Sequence, residues 1–217
     1  MKTAQDIYAE YNIMPSLQLH QLRVAAAAKL ICDNLKVPVN TGDVVLACLF
    51  HDMGNILKFD LGKTFPEFLE PEGAEYWRQA KAEFLYRYGD NAHKANIAIG
   101  REIGLDKRIV ELIDSISFSN IANIVANASF EQKISEYADD RVGPYGVLPL
   151  KERLAEARAR YIESGKTYYT AEGFDKLSRL VYELERQIFA HTSVRPEDLN
   201  DAAVESIIEQ LRTYTVA

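Results

Sequence analysis

Apolar residues recur along most of the chain at intervals of three and four, the spacing that puts them on one face of an α-helix. No stretch alternates β-branched and polar residues between hairpin turns. The pattern predicts an all-α protein. Leu19, Leu22, Ala26, Leu30 and Ile31 mark the first clear helix. It is expected to start with Ser16 as N-cap after Pro15 and to end near Leu35, before Pro38. Its run of Ala25, Ala26, Ala27 and Ala28 permits close approach of a neighbouring helix. A second helix from about Thr41 carries Val44, Val45, Ala47, Cys48, Leu49 and Phe50. It is apolar on nearly every side, which places it at the centre of a bundle.

Gly54, Gly62 and Pro66 punctuate an irregular stretch, followed by a polar, aromatic-rich helix from about Pro71 to Tyr88 that reads as an insertion or lid. Tyr76 and Trp77 on it are candidates to stack on a base, although aromatic residues at helical spacing more often serve a core. Asp90 is expected to cap the next helix, which carries His93, Ile97, Ile99 and Ile103 and stops at Gly104. Further helices are predicted from Asp106, over Glu131 to Arg141, Lys151 to Glu163, Ala171 to Ala190 and Pro196 to Thr213. The 7 prolines and 11 glycines are scattered and form no linker, so residues 1–217 read as one domain.

Composition narrows the function. The formal charge of −7 disfavours a nucleic-acid polymer as partner. No apolar run approaches the roughly 18 to 20 residues of a membrane span, and Met1 to Asp6 lack a signal peptide's apolar core. A cytoplasmic protein without membrane contact is expected. Cys32 and Cys48 fall inside apolar helical patterns and read as reduced, buried thiols.

The chain has only 4 histidines: His20, His51, His93 and His191. His191, near a helix end, reads as a cap for carbonyls. His51 and Asp52 end the most apolar helix, where two ionisable groups are costly unless something satisfies them. A divalent metal would do so, since imidazole and carboxylate are the donors expected for Mn, Fe, Co, Ni or Zn. His20, on the preceding helix, offers a third ligand. Arg23 lies one turn on from it, placed to reach an anion beside the metal. Asp139, within Glu136-Tyr137-Ala138-Asp139-Asp140-Arg141-Val142, offers a fourth, with Asp140 expected to pair with Arg141 or solvent.

The ordered set of a lone histidine in Leu19-His20-Gln21-Leu22-Arg23, a doublet in Leu49-Phe50-His51-Asp52-Met53-Gly54 and an aspartate in Tyr137-Ala138-Asp139 resembles the HD-domain superfamily of metal-dependent phosphohydrolases. The resemblance spans residues of about 16 to 142, leaving about 150–217 as a C-terminal helical extension. It implies an all-α, HD-domain-like helical bundle and a divalent cation (Mn, Fe, Co, Ni, Zn or Mg) held by His20, His51, Asp52 and Asp139. It also implies hydrolysis of a small phosphate ester, most often a nucleotide.

Asp52 is then expected both to bind metal and to orient the attacking water. Several subfamilies place a glutamate or lysine four residues after the doublet's histidine. Here Asn55 stands, which can orient water or donate to a phosphate but cannot take a proton at neutral pH. With His93 alone where two-metal members supply more histidines, one metal per site is expected. Arg23, Lys58, His93, Lys94 and Arg141 are candidates for the substrate phosphate. The competing reading is a catalytically silent ligand-binding or sensor module, motivated by Asn55. The helices beyond Leu150 leave room for a homodimer.

Overall fold

The computed structural model describes residues 1–163 and 169–216. Thr3 opens helix α1 (Ala4–Glu10), with its side chain and that of Asp6 satisfying each other's backbone N–H groups. This helix was not legible from hydrophobic period. Helix α2 (Pro15–Asp33) begins two residues earlier than expected: Pro15 occupies the first turn and Met14, in place of Ser16, precedes it without a side-chain cap. Ser16 is therefore inside the helix, and its hydroxyl donates elsewhere. Asn40 caps α3 (Thr41–Phe50) by accepting from Asp43 N–H.

The stretch after α3 forms short 3₁₀ turns at Asn55–Lys58 and Pro66–Phe68, then α4 (Gly73–Tyr88). Asn91, not Asp90, caps α5 (Ala92–Glu102), and Gly104 follows at φ +82°, the left-handed conformation that closes a helix C-terminus. Next come α6 (Lys107–Ser115), α7 (Ile121–Ala126), α8 (Phe130–Asp139) and α9 (Leu150–Arg158). A π-helical turn, Ala159–Glu163, extends α9. The chain ends in α10 (Ala171–Phe189) and α11 (Asp201–Arg212). Two-residue strands β1 (Lys2–Thr3) and β2 (Thr215–Val216) pair antiparallel. The all-α expectation holds, with this small sheet the one addition among the described residues.

Helices α2 and α3 form the centre. Ala25, Ala26, Ala27 and Ala28 are fully buried on α2, as are Ala47, Cys48, Leu49 and Phe50 on α3. With small side chains on α2, its neighbours α3, α8 and α11 all pack against it. Helix α3 also contacts α6 and α8. Each large apolar side chain buried here contributes roughly 1.5–3 kcal/mol, so this centre fixes the ends of α2, α3 and α8 firmly. Val181, Leu184 and Ile188 of α10 and Val204, Ile208 and Leu211 of α11 belong to the same core. Both cysteines are free and buried. No single helix among the described residues is long and apolar enough to cross a membrane.

Candidate metal centre

Helix α3 stops where its last carbonyls find partners outside the helix. The Tyr8 hydroxyl of α1 donates to Leu49 O at 2.6 Å, and His51 Nδ1 donates to Cys48 O at 2.8 Å. The second bond fixes the His51 tautomer: with its proton on Nδ1, the neutral ring carries a lone pair on Nε2. That nitrogen is buried and makes no hydrogen bond. A bare imidazole lone pair, in a side chain only 2% exposed, is costly unless a cation meets it.

Three elements of the chain supply what surrounds it. His20 lies in the second turn of α2, Asp52 in the turn after α3, and Asp139 at the last residue of α8. His20 Nε2 is 3.1 Å from Asp139 Oδ1 and 3.6 Å from Asp52 Oδ2. His51 Nε2 is 3.4 Å from the same Asp139 oxygen and 3.7 Å from the same Asp52 oxygen. The ligand atoms of His20, His51 and Asp52 all lie within 4.8 Å of one another. Two donors each about 2.1 Å from one ion lie roughly 3.0 Å apart at a right angle and 3.4 Å at the tetrahedral angle, so the observed separations fit a shared divalent ion. The donor set suits Mn, Fe, Co, Ni or Zn.

The electrostatics point the same way. Burial alone would push His51 toward its neutral form, but the Asp52 charge and then Asp139 lift its pKa to about 9. Burial would raise Asp139, yet the imidazoles of His20 and His51 beside it hold it well below the usual carboxylate range. Since the Asp139 side chain keeps about a third of its surface exposed (32%), its histidine partners set its charge more than burial does. Without a cation, the pocket draws a proton onto an imidazole.

Neighbouring polar groups hold this arrangement. Gln21, fully buried beside His20, accepts Asp52 N–H at 3.1 Å. Asn96 of α5 accepts Gly54 N–H at 2.6 Å. Gly54 lies so close to α5 that a Cβ there would stand 2.5 Å from Ala95 Cβ and 3.0 Å from Ala92 O, so only glycine fits. Sequence reasoning passed over Gln21 and Asn96 and read Gly54 only as a break. The available signal was a polar residue inside an apolar helical stripe, which names a buried partner without naming its function.

Behind Asp139, Asp140 is buried with Oδ2 unpartnered, so it pairs with neither Arg141 nor solvent as expected. Burial and then the Asp139 charge raise its pKa to about 8. Glu136, which accepts Ser117 N–H at 2.6 Å, is likewise pushed well above the usual range, first by burial. Asp139 is thus the ionised member of this acidic group.

The expected phosphate contacts separate. Arg141 is 1% exposed and its guanidinium points into the core, donating to Leu148 O, Tyr137 Oη, Pro196 O and Leu199 O at 2.6–3.1 Å. It is a structural arginine, not a substrate ligand. Trp77 is buried and donates to Leu69 O, so it offers no stacking face, whereas Tyr76 donates to Asn12 and keeps its ring partly exposed. Arg23 Nε stands 3.7 Å from Asp201 of α11. His93 Nε2 is 2.8 Å from Asp114 Oδ1. Lys58 and Lys94 are exposed, without ion pairs among the described residues, and Lys58 borders an open cavity of about 460 Å³ with Arg78 and Lys81. Asn55 Oδ1 is buried and has no hydrogen-bond partner.

Comparison with known proteins adds one finding: the model of the family described as HD domain matches residues 18–162. No curated protein and no solved structure matches the chain.

Proposed function

The chain belongs to the HD domain family, whose members are mostly metal-dependent hydrolases, and from that premise we propose that it hydrolyses the phosphate ester of a small molecule, a nucleotide being the favoured substrate. The observation that carries the reading is the convergence of two imidazole nitrogens and two carboxylate oxygens around the buried, unbonded His51 Nε2.

In this reading His20, His51, Asp52 and Asp139 hold one divalent ion. Such an ion would acidify a water and screen the phosphoryl oxygens. The chain's own residues do the positioning. The Gln21 bond fixes the Asp52 backbone, so the Asp52 carboxylate keeps one orientation toward both histidines and is placed to hold the attacking water. Asn55, three residues on, offers a buried carbonyl oxygen with no partner, suited to accept a proton of that water without removing it. His93, Lys94 and Lys58, on the turn and helix that follow, supply the positive charge for the phosphate, with Arg23 on the α2 side.

The test is elemental analysis of the purified protein and of Asp52→Ala, followed by phosphate release from phosphomonoesters, dinucleotides and cyclic nucleotides with each added metal. Near-stoichiometric metal in the wild type alone, with turnover abolished by chelation and by His51→Ala, is the expected result. No turnover above the Asp52→Ala control across that panel would sink the reading. Asn55 favours the second reading, a silent ligand-binding module, because it cannot act as a base. That reading requires nucleotide-induced thermal stabilisation without phosphate release.

A further inference from the structure

Two contacts bracket His20 along one face of α2. Ser16, His20 and Arg23 follow at steps of four and three residues, so they share that face, with His20 about 6 Å along the axis from the first and about 4.5 Å from the second. The Ser16 hydroxyl donates to Phe68 O at 3.3 Å. On the other side, Asp201 Oδ1 stands 3.7 Å from Arg23 Nε and accepts Val147 N–H at 3.0 Å. The 3₁₀ turn at Pro66–Phe68 is therefore anchored before His20, and the turn of residues 143–147 after it. Gly146 makes the second anchor possible, since a Cβ there would lie 2.3 Å from Asp201 Oδ2.

The two anchored turns meet through aromatic rings. The Phe68 and Tyr145 centroids are 5.3 Å apart, and Phe65 lies 5.9 Å from Phe68 and 6.3 Å from Tyr145. The interplanar angles are 41°, 86° and 52°, so no pair stacks face to face. Phe65 is 56% exposed and Tyr145 60% exposed. Apolar rings held together in water beside a polar centre are unsatisfied by the fold itself. The Tyr145 hydroxyl donates to Glu67 Oε1 at 3.0 Å, which holds a carboxylate beside the rings. That charge repels a phosphate from the aromatic end and directs it toward His20.

We propose that Phe65, Phe68 and Tyr145 form a binding site for a planar aromatic group carried on the phosphate ester whose phosphate reaches the His20, His51, Asp52 and Asp139 cluster. The proposal rests on the phosphohydrolase reading and specifies the substrate end of the same site. Glu67 gives it polarity: aromatic group outward, phosphate inward.

The experiment compares adenosine 5′-monophosphate with ribose 5-phosphate, matched ligands that differ in the base. Binding to the full chain is measured by calorimetry after chelator treatment and again with added manganese, alongside turnover of both ligands. Tyr145→Ala and Phe65→Ala change exposed side chains and leave the core alone, and Tyr145→Phe keeps the ring without the Glu67 bond. The expected result is binding of the nucleotide weakened about tenfold by either alanine variant, near wild type in Tyr145→Phe, with ribose 5-phosphate unaffected. Equal affinity for the two ligands, equal losses for both, or no binding of the nucleotide in either state would overturn the aromatic site. Ring-dependent binding without hydrolysis would instead sink the phosphohydrolase reading and leave the site standing. Metal-dependent hydrolysis indifferent to Tyr145 and Phe65 would do the reverse.

Discussion

The backbone N–H of Asp52 is held by the side chain of Gln21, Oε1 accepting at 3.1 Å across the gap between α2 and the turn after α3. The residue next to His20 thereby sets the backbone of Asp52, and two donors from different elements are locked to one another.

Gln21→Leu should therefore act on the cluster without removing a donor. The Asp52 N–H would be left buried without a partner, a cost of about 1–3 kcal/mol. The expected outcome is a lowered Tm together with reduced retained metal, read by thermal denaturation and elemental analysis. An unchanged metal content would show that the bond does not position Asp52.

The pKa of about 9 at His51 predicts how chelator-treated protein responds to pH. A base whose pKa is raised above its unfolded value of about 6.5 stabilises the fold fully below that value, and the contribution is lost as pH rises through the folded pKa. The stability of chelated protein should thus fall between about pH 6.5 and 9, by on the order of 3 kcal/mol at most, and its Tm with it. Metal replaces the proton as the source of positive charge, so the loaded protein should not show this fall. Calorimetric titration of metal at pH 7 in two buffers of different ionisation enthalpy should report about one proton released, and His51→Gln should release none.

Gly54→Ala would drive a methyl group into Ala95 Cβ and Ala92 O. Backbone and helix cannot yield as a flexible side chain would, so α5 must move, at a cost of about 1–3 kcal/mol. Denaturant titration should show the lowered stability. Loss of the Asn96 to Gly54 bond should lower metal affinity as well.

Arg141→Ala should unfold the protein more readily by about 3 kcal/mol or more, because it empties a buried site and leaves three carbonyls and a tyrosine hydroxyl short of a donor. Arg141→Lys should rescue little, since one ammonium cannot reproduce the planar fork. A normal Tm with a raised KM would return Arg141 to the phosphate.

The helices that carry the cluster were legible because of their apolar period, sharpened by Pro15 at the start of α2 and by the continuous apolar run of α3. His51 and Asp52 stood out because ionisable groups there had no visible compensation. Helix α1 escaped because its 7 residues give barely two turns, too few for a period, although Thr3 and Asp6 spelled a capping box. The roles of Gln21, Asn96 and Arg141 were hidden for another reason. Each is fixed by a partner on a distant part of the chain, and a polar residue in sequence does not say whether its partner is a ligand, a loop carbonyl or water. Arg141 shows the hazard: adjacency to Asp139 in sequence suggested the site, but the chain turns there and sends the guanidinium the other way.

The family match ends at residue 162, yet α2, which bears His20, packs against α11, and Asp201 of α11 holds both Arg23 and the turn after Asp139. The boundary drawn by likeness and the boundary drawn by cooperativity are therefore different. A fragment ending at residue 162 would carry every donor of the cluster and yet leave uncovered the part of α2 that packs on α11, apolar surface that favours association in water.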